Sequence, residues 1–452
     1  MDSPKVSSLN HVCLFLLGFS VYCPVLFFIS ASPDILAGTT IGTSAISLAE
    51  GIPGILTNIF GNWFISRLSL LTSLVIGTVS CVASLLLLIL GGDAYVRLLA
   101  VAGVNFAAQW MAVWCMGLTA HLRDDGRLIS GYETGISLSG IIGVLSYTAL
   151  TTWLCVSPQV AMATCIVFPI LSAIIYAVLD KTAINENVKH SDEYTELATC
   201  EQHEEVPNKS QGKDSVSSDQ SIGQDKTPGF NSDDYCKDSK LEKDPEESLL
   251  LICWKVFPRF TYCYIAATSL KLSRLAILTT IVTPSSYIAP RDHYMYYSLA
   301  IIIPRSVVGL IYSAYSHFFP TNRVLEFCNI WLISTVCLAH MMFFVFVSWY
   351  HFLPGLSVTL LFCVSFGFAE GCMWVFGFIG IKDMFSNVRD AGYGLSIVNS
   401  ARQFANLVAG LQGVNLEGML LRHCKEELLL GDNCLARSIF VRGWEQLHCS
   451  KH

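Results

Sequence analysis

Eleven separate apolar runs, each long enough to cross a bilayer, constrain this chain more than any other feature. A hydrocarbon core about 30 Å thick needs about 20 apolar residues per helix. Runs of that kind fall near residues 10–31, 43–66, 69–91, 96–120, 128–154 and 157–179, then 258–284, 294–318, 323–349, 352–380 and 389–413. Within lipid every backbone N–H and C=O must be satisfied inside its own segment, so these runs are predicted to be helices. They divide as six, a long polar stretch, and five.

Charge points the same way. Only 14% of the 452 residues are charged, against about 25% in soluble domains. Residues 181–248 hold 8 of the 28 Lys and Arg and 17 of the 35 Asp and Glu, a local balance of −9. The other 384 residues carry too little charge to cover a water-exposed surface, so the lipid bilayer is the expected solvent. The net charge of −7 arises in the polar stretch and speaks for no nucleic-acid partner.

The expected organisation is an N-terminal six-helix bundle over 1–180, a disordered acidic cytosolic loop over 181–248, a second helix bundle over 249–414, and an amphipathic tail over 415–452. The loop is rich in Ser, Asp, Glu, Lys and Gln and cannot bury enough apolar surface to fold. Lys5 before the first run and Ile29-Ser30-Ala31 after it imitate a signal peptide. The run is too long for that, and a retained first helix is expected.

Basic residues in short loops set orientation. With the N-terminus in the cytosol, Arg67, Arg123, Arg127, Arg323, Lys382 and Arg389 all fall on the cytosolic side. The opposite loops at 32–42, 155–156 and 350–351 contain no Lys or Arg, and 285–293 adds Arg291. The tail, with Arg422, Lys425, Arg437, Arg442 and Lys451, breaks the pattern if there are eleven helices. Either a weakly apolar twelfth segment exists, or the tail is an interfacial piece built on Leu420, Leu421, Leu428, Leu429, Ile439 and Phe440; the second is expected.

Ionisable side chains within a bilayer cost several kcal/mol, which makes each a functional candidate. Seven stand out: Glu50, Glu133, Lys271, Arg274, Arg305, Glu370 and Arg402. Glu50 adjoins Gly51 and Pro53, Arg305 follows Pro304, and Glu370 precedes Gly371. Lys271 and Arg274, three apart, share one face of a helix. In a two-bundle transporter the cavity is lined by the first, second, fourth and fifth helices of each half, and all seven fall on such helices. The alternatives are packing salt bridges and snorkelling ends, above all for Glu133 near the membrane surface. A guanidinium binds phosphate or carboxylate bidentately, so Arg274 and Arg305 suit an anionic or zwitterionic solute, and Glu50 and Glu370 suit a proton or cation.

Gly131, Gly135, Ser139 and Gly143 recur every fourth residue, a ladder that admits a neighbouring helix closely. Glu246 with Leu250 and Leu251 forms an acidic dileucine pattern, Glu-x-x-x-Leu-Leu. It reads either as a sorting signal for cytosolic adaptor coat proteins or as the polar start of a helix. The sequon Asn208-Lys209-Ser210 lies on the cytosolic side on this topology. Seventeen cysteines show no CxxC pair and no Cys/His ligand spacing; most, such as Cys81, Cys165, Cys337 and Cys363, act as small hydrophobes. No metal or cofactor is expected. No protease, hydrolase, nucleotide-binding or dinucleotide motif occurs, and no enzyme is expected. The common facilitator signature is also missing from Gly61-Asn62-Trp63-Phe64-Ile65-Ser66-Arg67.

Several segments together resemble the battenin family of lysosomal membrane proteins. They are Leu17-Gly18 with Ile29-Ser30-Ala31-Ser32-Pro33-Asp34-Ile35-Leu36, Ala49-Glu50-Gly51-Ile52-Pro53, Gly140-Ile141-Ile142-Gly143-Val144-Leu145-Ser146-Tyr147 with Ser157-Pro158-Gln159, Tyr296-Tyr297 with Arg305, and Glu370-Gly371. The chain departs from the family at Val21-Tyr22, near Ala112, near Ala267 and at Gly380, and it ends in Cys449-Ser450-Lys451-His452 without a prenylation box. The resemblance implies an all-α polytopic membrane protein of major-facilitator type, with about eleven transmembrane helices around a central cavity. It also implies lysosomal or late-endosomal residence, clearance of glycerophosphodiesters, and effects on lysosomal pH and basic amino acids. Two functions stay open at this point: a transporter of a small polar metabolite, and a non-transporting scaffold that regulates trafficking or acidification.

Overall fold

Long helices separated by short connections carry almost all of the chain. The computed structural model describes residues 8–65, 67–121, 127–180, 248–283, 288–318, 329–382, 384–385, 388–437 and 444. The first half comprises α1 (Ser8–Ser30), α2 (Ala45–Ile65), α3 (Leu70–Leu90), α4 (Ala94–His121), α5 (Arg127–Thr148, continued by a π-helical turn Ala149–Trp153) and α6 (Pro158–Val178). The second half comprises α7 (Leu249–Leu272, continued by a π-helical turn Ser273–Ile277 and a 3₁₀ turn Leu278–Thr280), α8 (Pro290–Phe318), α9 (Ile330–Tyr350), α10 (Leu356–Lys382) and α11 (Val388–Glu426). Among the described residues nine of these helices are long and apolar enough to cross a membrane, and α2 and α11 are the two outside that set. α2 falls outside by length, its apolar stretch Ala45–Gly61 being short, and α11 by its more polar composition; the two pack on one another. The fold is all-helical and polytopic, as expected.

Asn10 at the start of α1 and Asp180 after α6 exchange hydrogen bonds of 3.3 and 3.1 Å. The N-terminus and the end of the first half therefore share one face of the bundle, the near face. Eleven crossings bring the end of α11 to the opposite, far face.

Within the first half α1 packs along α5, and α4 along α2 and α3. Within the second, α8 packs on α10 and α7 on α11 and α9. The halves meet through two pairs, α2 with α11 and α5 with α8. Each half thus offers its second helix to the other's fifth, the arrangement of a parallel repeat about an axis along the membrane normal.

Small residues allow these crossings. A Cβ on Gly51 would lie 2.6 Å from the backbone N of Leu407, and one on Gly410 would lie 2.5 Å from the N of Leu48. The Gly131–Gly135–Ser139–Gly143 ladder runs along α1. A Cβ on Gly135 would meet the carbonyl of Phe15, Gly143 sits against Leu26 and Cys23, and Gly131 faces His11.

Four details differ from the sequence reading. First, α7 begins at Leu249, nine residues early, because Trp254 and Phe257 are exposed and extend the apolar surface past Lys255. Second, Arg274 lies not in regular α-helix but in the π-helical turn Ser273–Ile277 that continues α7. Third, α11 runs on past residue 414 to Glu426, with Leu420 buried. Fourth, two groups of cysteines behave differently. Among the described residues eight of ten free cysteines are buried, but Cys424 is bridged to Cys434 and Cys155 is also disulfide-bonded. All three lie beyond the apolar runs on the far face, and disulfides persist in oxidising compartments. The stretch 181–247, Asn208, Glu246, Arg123, Arg323, Ile439, Phe440 and Cys449 lie outside the described residues.

Candidate functional site

The seven ionisable residues converge on the space between the halves. Lys271 Nζ on α7 donates to Glu50 Oε2 on α2 at 2.7 Å. Glu50 is 2% exposed, and its carbonyl accepts from Asn105 Nδ2 of α4 at 2.6 Å. Glu50 Oε1 is buried with no hydrogen-bond donor among the described residues. Pro53, three residues on, loosens α2 beside this carboxylate.

On the second half Arg305 Nε of α8 lies 2.8 Å from Glu370 Oε2 of α10. Trp374 Nε1 donates to Glu370 Oε1, and the Trp374 ring carries the Arg402 guanidinium of α11 at 4.2 Å from its centroid. Arg402 also acts electrostatically on Glu133 of α5 and on Tyr22 of α1. Glu133 itself is exposed.

Arg274 differs from the other cations. It is 2% exposed and lies against Tyr294 of α8, whose neighbours include Ser298 and Ser32. Among the described residues it has no carboxylate partner, and its Nε and Nη2 have no acceptor. Lys271, Arg274 and Arg305 are near enough to repel one another. Four cations against three carboxylates leave the cluster with one surplus positive charge, and Arg274 is where it resides. That is the electrostatics of a site for a small anion or zwitterion in a place that excludes bulk water.

A second constellation was not singled out from the sequence. Arg291 at the start of α8 binds Asp34 bidentately, Nε to Oδ1 at 2.7 Å and Nη2 to Oδ2 at 2.6 Å. Tyr147 Oη of α5 donates to Asp34 Oδ2 at 2.6 Å. Arg291 Nη1 reaches Asp292 Oδ1 at 3.0 Å, which also accepts from Thr152 Oγ1 at 3.1 Å. Asp34 is in the helical turn Ser32–Ile35 after α1, so this network joins the halves on the far face. One signal for it existed: Asp34 and Arg291 are opposite charges at the ends of apolar runs on the same side.

A family model described as CLN3 protein matches residues 12–423. No curated protein matches the sequence. Solved structures share the fold at low identity. The D-xylose-proton symporter has a TM-score of 0.57 at 10% identity, covering 95% of this chain and 98% of that chain. A POT family transporter in complex with 5-aminolevulinic acid has a TM-score of 0.57 at 10% identity, with 91% and 92% covered. The nucleoside transporter NupG has a TM-score of 0.52 at 12% identity, with 96% and 95% covered.

Proposed function

The chain belongs to the CLN3 protein family, and from that premise and the site geometry we propose that it moves a small anionic or zwitterionic metabolite across an endolysosomal membrane by alternating access. The buried Arg274, with no carboxylate partner among the described residues, is the observation that carries this reading. Its guanidinium is the docking point for the solute's anionic group, with Tyr294 and Ser298 beside it. Glycerophosphodiesters are the solute class to test first.

The paired charges serve the cycle. Lys271–Glu50 and Arg305–Glu370 hold cations near the solute without competing for it. An anion arriving at Arg274 weakens the hold of Glu50 on Lys271, and a proton taken by Glu50 or Glu370 frees its partner cation. Such exchange of partners couples binding to movement because each state makes different contacts. The Asp34–Arg291 network is the gate on the far, lumenal side, and the exposed Glu133 fits a cavity open to the cytosol.

Disulfides at Cys424 and Cys155 support a lumenal far face, consistent with a cytosolic N-terminus. Leu250, 82% exposed at the start of α7, fits presentation of the dileucine pattern to adaptor coat proteins. The test is uptake of glycerophosphodiesters against cationic amino acids by the purified chain in liposomes. Flux that disappears in Arg274→Gln and persists in a folded control supports the reading. No flux for any of these solutes, from correctly folded protein, sinks it and leaves the scaffold.

A further inference from the structure

Beyond α11 the chain turns back across the far face. The Cys424–Cys434 bridge closes a ten-residue separation at the helix end and fixes the direction in which the next residues leave. Ala436 N donates to Thr279 O at 2.7 Å, still on the second half. Arg437 then enters the connection between α1 and α2 of the first half. Its Nη1 donates to Leu36 O at 2.9 Å and Thr39 O at 2.8 Å, its Nη2 to Ile41 O at 2.5 Å, and its Nε to Thr43 Oγ1 at 3.1 Å.

These carbonyls lie between two helices, where a helical ladder supplies few donors, and one guanidinium takes that role. Glu417 of α11, 3.7 Å from Arg437, grips the same connection from the second half. It accepts from Thr43 N at 2.5 Å and from Thr43 Oγ1 at 3.0 Å. Further along, Trp444 O accepts from Gln159 N at the start of α6, and its ring lies 5.7 Å from the Arg97 guanidinium on α4. The segment leaves from one half and ends on the other.

We propose that residues 417–437 form a strap across the far-face mouth between the halves, and that the halves part there only after Arg437 leaves the α1–α2 connection. This inference rests on the alternating-access reading. The family match stops at residue 423, so the strap's bridge and its arginine belong to the part of the chain outside that match. The disulfide shortens the slack between α11 and Arg437, so that separation of the halves pulls directly on the guanidinium.

The test is single-molecule energy transfer between dyes on Leu154 and Phe352, exposed far-face positions on opposite halves, in the full chain in nanodiscs. Arg437→Gln is expected to raise the population with separated labels at least fivefold. Should that variant fold poorly, reduction of the Cys424–Cys434 bridge in the already folded protein is expected to act in the same direction. Asp34→Asn, which opens the other far-face lock, calibrates the movement. If Asp34→Asn separates the labels while neither Arg437→Gln nor reduction does, the strap is overturned and the movement stands. If no variant and no treatment separates them, alternating access fails and the strap fails with it.

Discussion

Replacing Glu50 by Gln isolates the buried pair at the centre of the site. The variant leaves the Lys271 ammonium 2.7 Å from a neutral amide, still repelled by Arg274 and Arg305. Breaking a buried pair from one side costs about 3–5 kcal/mol. Lys271→Met instead leaves a buried carboxylate without its cation, at a similar cost.

The double variant removes both charges and is expected near neutral, giving a coupling of about 3 kcal/mol or more. Denaturant unfolding of the full chain in nanodiscs, followed by tryptophan fluorescence, reads all three. Strictly additive single losses would refute the account of a mutually neutralising buried pair.

Other consequences follow from the same contacts. Charge-neutral Arg305→Gln is expected to lower transport at least tenfold, because Glu370 loses its partner at 2.8 Å; untouched flux would remove Arg305 from the pathway. Asp34→Asn forfeits a charge-assisted pair worth about 1.5–3 kcal/mol, so far-face separation should rise roughly ten- to a hundredfold, read by energy transfer. Gly410→Val has no room, since its Cβ would lie 2.5 Å from Leu48 N; a loss of about 1–3 kcal/mol is expected, seen as a lower Tm and poorer monodisperse yield. Glu417 lies beyond the apolar part of α11, and burial pushes its carboxyl up to about 7 against the opposing pull of Arg437 and the donors Thr43 and Ser44. A raised value means that the docked strap holds a proton the released one gives up, so its contribution is full below about 4.5 and is lost as pH rises through about 7. The separated population should therefore grow with pH, by at most about tenfold per unit; a flat profile that Glu417→Gln does not alter would count against it.

Much of the architecture is written in composition and spacing. Apolar runs of bilayer length dictate helices because lipid offers backbone groups no other partner, and nearly every helix lies within a few residues of its run. The battenin resemblance, carried by segments such as Gly140–Tyr147, agrees with the family match over 12–423. Intramembrane charges are legible for the same reason: their insertion cost marks Glu50, Arg305 and Glu370 however the helices pack.

Pairing is not legible. Glu50 and Lys271 stand 221 residues apart, and no local pattern says that α2 meets α7 at that height. Residue spacing does not say that Arg274 falls in a π-helical turn or that it finds no carboxylate among the described residues. Asp34 and Arg291 look like ordinary helix ends until the halves close on each other. The tail reads as an amphipathic surface piece because its leucines are conspicuous, yet Arg437 decides its course by finding three carbonyls on a distant connection. Sequence alone determined that this protein lives in lipid and where its helices lie, since solvation is a local property. Which charges neutralise each other, which one is left over, and what straps the far face shut depend on distances between remote segments, and only the tertiary structure decided them.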